Sequence, residues 1–242
     1  MKPLVIAHRG ASAYAPENTL AAFNLAFEMS ADGVELDVTL TRDGVPVIIH
    51  DDNVDRTTDG HGAIKAMTLA EVKRLDAGAW FDAKFRGAKI PTLAEVLETT
   101  AGRGTVNIEL KSTTLQTDGL EATVAKVIDD THAGERVMVS SFNPFALYRM
   151  AILKPQLPRG LLYADRLPLY LRRTWLRPIA RPNALHPVWK MIDERLVKWA
   201  RGKGYEINTW TVDDPEEMRR LIALGVDAIM TNKPDVLRQI VG

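Results

Sequence analysis

The sequence predicts an α/β fold: a closed (β/α)8 barrel of the TIM type, with a small insertion after the second strand. Three observations point there. The chain has 242 residues, close to the roughly 250 that one such barrel needs. Short apolar runs alternate with longer amphipathic ones almost to the end, the rhythm of repeated βα units. Ionisable side chains recur where the apolar runs stop, the end at which such barrels carry their chemistry.

Residues 4–8 read as the first strand and 19–29 as a helix, with Leu20, Phe23, Ala26 and Phe27 at helical spacing behind the polar Glu17 and Asn18. Residues 33–38 form a second strand, and 46–49 a short extended piece taken as a loop excursion. Six further strands are expected at 105–110, 137–140, 160–163, 184–186, 205–211 and 226–230. Helices are expected at 92–100, 120–131, 144–153, 193–201, 215–224 and 235–241. Eight βα units in one domain spanning 1–242 suggest closure, although periodicity alone is equally compatible with an open doubly wound sheet. Two segments break the rhythm. Residues 51–91 are polar and glycine-rich and read as the insertion. Residues 163–182 carry five arginines (166, 172, 173, 177, 181) against one acid, Asp165, with Pro158, Pro168, Pro178 and Pro182 in or beside them.

Composition narrows the function. Equal numbers of basic and acidic side chains, 31 each, give a formal net charge of zero. No global field draws the protein to nucleic acid or to an acidic membrane, so anion binding must come from local clusters. With no cysteine, disulfides, thiolate metal sites and cysteine nucleophiles are excluded. No stretch approaches the roughly 20 apolar residues of a membrane span, and the N-terminal apolar run is too short for a secretory signal. A cytoplasmic protein without membrane insertion is the expectation; oligomeric state is not legible.

The chemistry concentrates on two strands. Glu35 and Asp37 are two residues apart in an apolar strand, so both face the barrel interior while Leu36 and Val38 face outward. Two carboxylates there repel each other and lose hydration, costs that a divalent cation removes. Asn107, Glu109 and Lys111 share a face on the next barrel strand. Glu109 is a natural third oxygen ligand, and an all-oxygen set suits one hard cation, Mg²⁺ or Ca²⁺. Lys111 sets a positive charge nearby, and Arg9 a planar donor fork; both suit phosphate oxygens. His8 ends the first strand and His50 ends the extended run before Asp51. Imidazole titrates near neutrality, so one ring can take a proton while the other gives one.

These residues fall in motifs: His8-Arg9-Gly10-Ala11-Ser12, Pro16-Glu17-Asn18-Thr19, Glu35-Leu36-Asp37, Asp43-Gly44 and His50-Asp51. They continue through Arg56-Thr57-Thr58, Pro91-Thr92-Leu93, Ile108-Glu109-Leu110-Lys111, Asn208-Thr209-Trp210-Thr211-Val212 and Thr231-Asn232-Lys233-Pro234. In order and spacing, over almost the whole chain, they resemble the glycerophosphodiester phosphodiesterase family. The resemblance implies a (β/α)8 barrel with a small inserted subdomain, here 51–89. It implies Glu35, Asp37 and Glu109 as metal ligands, His8 and His50 as the acid/base pair, and Arg9 and Lys111 as phosphate contacts. The implied reaction hydrolyses glycerophosphodiesters, such as glycerophosphocholine or glycerophosphoethanolamine, to sn-glycerol 3-phosphate and an alcohol. Which histidine is the base, and whether water or the glycerol 2-hydroxyl attacks, stay open at this point.

Weaker candidates complete the site. His186 ends the sixth barrel strand and is expected either to reach substrate or to be a structural ring before Pro187. Trp210 shares parity with Asn208, and either packs on substrate or fills the barrel; Phe142 is similar. His61 and His132 read as solvated. Residues 163–182, with Leu167, Leu169, Tyr170, Leu171, Trp175 and Leu176 among the arginines, read as a wall of the cavity, with peripheral lipid contact as the alternative. The rival functions are a phosphoinositide- or sphingolipid-directed lyase on the same barrel and a non-catalytic phosphodiester-binding protein. The second expects a missing histidine or carboxylate, and none is missing.

Overall fold

The computed structural model describes residues 2–242. Its strands are β1 (Leu4–His8), β2 (Gly33–Leu40), β3 (Pro46–Ile48), β4 (Thr105–Leu110), β5 (Val137–Ser141), β6 (Arg159–Tyr163), β7 (Ala184–Pro187), β8 (Glu206–Thr209) and β9 (Ala228–Thr231). β1 pairs in parallel with both β2 and β9, which closes the sheet and excludes the open alternative. The ring runs β1-β2-β4-β5-β6-β7-β8-β9, and β3 hangs outside it, antiparallel to β2.

The helices begin where side chains can serve unpaired N–H groups. Thr19 caps α1 (Leu20–Glu28) by accepting from the Ala22 N–H. Within the insertion, α2 (Leu69–Val72) starts on a reciprocal capping box of Thr68 and Glu71. Thr92 and Glu95 form a second box at α3 (Leu93–Thr99). Next comes α4 (Leu120–Asp130), and α5 (Pro144–Leu153) is capped by Asn143. Two single turns follow, α6 (Leu169–Arg172) and α7 (Arg177–Ala180), inside the segment expected to be irregular. Asp193 caps α8 (Glu194–Gly202), Asp214 caps α9 (Pro215–Leu224), and α10 (Pro234–Val241) ends the chain. No described helix is long and apolar enough to cross a membrane.

The main apolar core lies between strands and helices, with Phe23, Leu36, Leu97, Ile108, Leu147 and Met150 among its fully buried members. Inside the ring a small apolar cluster joins Ile6, Ala228 and Met230 to Trp210, and polar side chains such as Glu35, Asn107, His186 and Asn208 share the interior with it. β3 and the segment after it hold a separate cluster of Val47, Ile49, Val54, Ile64, Val72, Ala77 and Ile90.

Gly160 is needed for close approach. A Cβ there would lie 2.3 Å from Nε2 of the buried His186 ring. We expect Gly160→Ala to lower unfolding stability by about 1–3 kcal/mol, the usual cost of overpacking an interior. Denaturant unfolding measures it, and an unchanged midpoint would mean that the ring has room to move.

Candidate active site

Strand register assembles the site. In the parallel ladders His8 lies opposite Glu35, Glu35 opposite Asn107, Asp37 opposite Glu109, and Glu109 opposite Ser140. Alternation then turns these side chains to the same side of the ring. Oxygen atoms of Glu35, Asp37 and Glu109 lie within 4.8 Å of one another. That matches the roughly 4–5 Å that two oxygens span across one hard cation.

Charges around this triad are uneven. Burial first, then the Asp37 and Glu109 charges, push Glu35 well above the usual carboxylate range. Burial and the Asp37 charge push Glu109 up to about 7. Burial works against ionised Asp37 as well, but Arg9, Lys111, His50 and Asn18 outweigh it and hold that carboxyl low. Arg9 Nε lies 3.2 Å from Asp37 Oδ2, and Lys111 Nζ is 3.5 Å from Asp37 Oδ1 and 3.3 Å from Glu109 Oε1. The Asn18 amide donates to Asp37 Oδ2 at 2.9 Å. The donor set is therefore three crowded carboxylates on a rigid barrel, two of them disfavoured as anions while no cation is bound, and it fits a divalent metal.

Arg9 sits in the left-handed backbone region, φ 57°, and its N–H donates to Glu35 Oε2 at 3.1 Å. The turn is tight because Gly10 follows it, at φ 82°, where a Cβ would collide with the Ala22 backbone at 2.6 Å. Strained residues of this kind gather at functional sites.

The two histidines are held differently. Asp213 accepts both the backbone N–H and the side-chain amide of Asn232, at 2.8 and 2.6 Å. That fixes the amide with Oδ1 towards His8 Nδ1, 2.8 Å away. Nδ1 must then carry the proton, and in the neutral ring Nε2 is an acceptor, 3.4 Å from the Thr211 hydroxyl and 4.0 Å from Glu35 Oε2. Burial, reinforced by the Arg9 charge, pushes His8 down to about 4. His50 is instead half-buried, with Nδ1 2.6 Å from Asp51 Oδ1. Arg56 Nε donates to Asp51 at 2.6 Å, and its other nitrogens bind Glu17, which also accepts from Arg9. Burial would lift the Asp51 carboxyl, but its bonds to Arg56 and His50 outweigh it and hold it at about 2.

A cavity of about 190 Å³ opens onto His8, Arg9, Glu35, His50, Asn107, Glu109, Ser140, Phe142, Leu162, Arg166, Trp210, Thr211 and Met230. Asn107 Oδ1 and Ser140 Oγ are buried in this wall without a protein partner. Asp37 and Lys111 stand behind the wall, against the other two carboxylates. Trp210 is on the wall beyond the end of β8, edge-on to Phe142, and its Nε1–H donates to the His186 carbonyl.

His186 departs from the first of its two expectations. Its ring is fully buried beside Gly160, does not border the cavity, and has Nε2 3.1 Å from the Asn208 amide. Burial pushes it down to about 3, so it stays neutral. β7 continues through Pro187, which leaves His186 below the strand end rather than at it. His61 and His132 are exposed. Sequence reasoning gave no role to the Asp213–Asn232 pair, because these stand on loops that periodicity does not read; Arg166, in the segment expected to wall the cavity, does border it. The signal for Asn232 was its place directly after an apolar strand.

The sequence matches the family model described as the Glycerophosphoryl diester phosphodiesterase family over residues 8–236. A glycerophosphodiester phosphodiesterase of Caldanaerobacter subterraneus is 46% identical over 243 residues, covering 100% of this chain and 98% of the relative. One of Bacillus subtilis is 33% identical, covering 98% and 86%. Among solved structures, an Oleispira antarctica phosphodiesterase in complex with the product sn-glycerol-3-phosphate superposes with a TM-score of 0.89 at 35% identity, covering 99% of this chain and 97% of that one.

Proposed function

The chain belongs to the glycerophosphoryl diester phosphodiesterase family and is an enzyme of that kind; on this premise we propose that it hydrolyses glycerophosphodiesters such as glycerophosphocholine or glycerophosphoethanolamine with His8 as base and His50 as acid, around one cation held by Glu35, Asp37 and Glu109. The observation that carries the reading is the charge balance. The three carboxylates crowd negative charge that Arg9 and Lys111 offset only in part, Arg9 being shared with Glu17. A divalent cation held there relieves the excess and suits the site to a phosphodiester anion. When bound, Mg²⁺ or Ca²⁺ would supply Lewis-acid stabilisation of the charge that builds on the phosphoryl oxygens.

The chain's own groups do the rest. Arg9, on the cavity wall, orients the phosphate, and Lys111 behind the carboxylates helps to offset its growing charge. His8, kept neutral by burial and by an amide rather than a carboxylate at Nδ1, takes the proton of the attacking oxygen at Nε2. His50, with the Asp51 carboxylate at Nδ1, can carry a positive charge and gives its proton to the leaving alcohol. Trp210 packs against the substrate, and His186 supports it from below through its carbonyl. Residues 51–89 are read as a small subdomain inserted in one phosphodiesterase domain spanning 1–242. The separate apolar cluster they share with β3 supports this, and they bring Asp51 and Arg56 to His50.

The test is product analysis. Purified protein with a divalent cation should convert glycerophosphocholine to sn-glycerol 3-phosphate and choline. Inertness towards glycerophosphocholine and glycerophosphoethanolamine with either cation would sink the reading. Asn232 is a positioning residue, so Asn232→Ala should lower kcat about 10- to 100-fold, as loss of an imidazole-orienting group does elsewhere, with KM nearly unchanged. A rise confined to KM would remove the positioning role.

A further inference from the structure

We propose that the ridge of residues 169–175 is a docking surface for an anionic lipid bilayer. The inference starts from three large apolar side chains that stand exposed. Leu169 and Tyr170 are each 47% exposed and Trp175 is 63% exposed. All three lie on the connection from β6 to β7, which leaves the end of the barrel where the catalytic cavity opens.

The two flanks of the ridge differ in chemistry. One flank is a groove of about 280 Å³ lined by Leu115, Phe142, Phe145, Tyr170, Leu171 and Leu176 among others. Phe142 belongs to this groove and to the catalytic cavity, so the two adjoin. The other flank is a cleft of about 570 Å³ that holds Arg172, Arg173, Arg177 and Arg195. Arg177 is occupied, stacked over Trp199 and bonded to Thr174. Among the described residues, Arg172, Arg173 and Arg195 form no ion pair with any acid. The single acid of the cleft, Asp193, already caps α8.

Charge complementarity selects the occupant. The chain as a whole is neutral, so the unpaired arginines are a local surplus beside exposed apolar groups. A small anion would satisfy the arginines but leave Leu169 and Trp175 in water. An anionic bilayer satisfies both: headgroups meet the arginines, and the aromatic and leucine side chains enter the interfacial layer. Docked this way, the groove and the neighbouring catalytic mouth face the lipid. The docking does not depend on the phosphodiester chemistry; only the meaning of that orientation rests on the proposed function.

The test is co-sedimentation of the full chain with vesicles of phosphatidylcholine, with and without phosphatidylglycerol, at low and high salt. The wild type should bind only the phosphatidylglycerol vesicles and release in high salt. Two double variants, Leu169→Ser with Trp175→Ser and Arg172→Glu with Arg173→Glu, should each bind about tenfold more weakly or worse. Both should hydrolyse soluble glycerophosphocholine at the wild-type rate, which shows that they are folded. Absence of wild-type binding, equal binding to pure phosphatidylcholine, or wild-type binding by both variants would overturn the proposal. Because binding is read without turnover, it stands or falls separately from the phosphodiesterase reading.

Discussion

His50→Ala should lower kcat on glycerophosphocholine by about 10²- to 10⁴-fold, the usual contribution of a positioned acid or base. The size of the loss should depend on the leaving group. An alkoxide leaving group such as choline needs a proton, whereas p-nitrophenolate departs without one. His50→Ala should therefore keep far more activity on a glycerophospho-p-nitrophenyl ester than on glycerophosphocholine. His8→Ala should lose activity on both substrates alike, because the attacking oxygen still has to be deprotonated. The reverse pattern would exchange the two roles, and full activity in either variant would end the acid/base assignment. The asymmetry follows from what each ring touches: an amide oxygen fixed by Asp213 at His8, a carboxylate at His50.

Glu35→Gln and Glu109→Gln should weaken cation affinity by at least about tenfold each, since each removes a charged ligand from a set of three. Calorimetric titration of the metal-free protein measures this, and unchanged affinity would take the residue out of the site. Stability should move the other way. In the metal-free protein Glu109 is raised from 4.5 to about 7. Between those pH values the folded state binds more protons than the unfolded chain. Stability from this group is therefore full below about pH 4.5 and lost as pH rises through about 7. Thermal melting of the metal-free protein should fall across this window. Glu109→Gln should flatten the fall, and added cation should abolish it.

Much of this was legible in the sequence because the barrel enforces alternation. Glu35 and Asp37 two apart in an apolar strand, and Glu109 at the same parity on its neighbour, meet because the register places Asp37 opposite Glu109. Closure was expected from eight βα units in a chain of this length, but periodicity alone could not exclude an open sheet; what decides it is the pairing of β1 with both β2 and β9, contacts far apart in the chain. His186 shows the limit of a strand-end reading. Its strand runs one residue further, and Gly160, opposite Ala184 on the neighbouring strand, leaves space that the ring fills. Asp213 and Asn232 were out of reach for another reason: their pairing depends on two loops after β8 and β9 whose meeting no periodicity encodes. The single turns at α6 and α7, four residues each, span barely one helical repeat and cannot show a period, so residues 163–182 read as irregular.

The most direct test of the carboxylate-held cation is glycerol 3-phosphate release from glycerophosphocholine by chelator-stripped protein, titrated with Mg²⁺ or Ca²⁺. Wild-type release should start near zero, rise with one saturating binding step, and half-saturate at far higher cation in Glu35→Gln. Full release by the stripped protein, or identical titrations for wild type and Glu35→Gln, would contradict it.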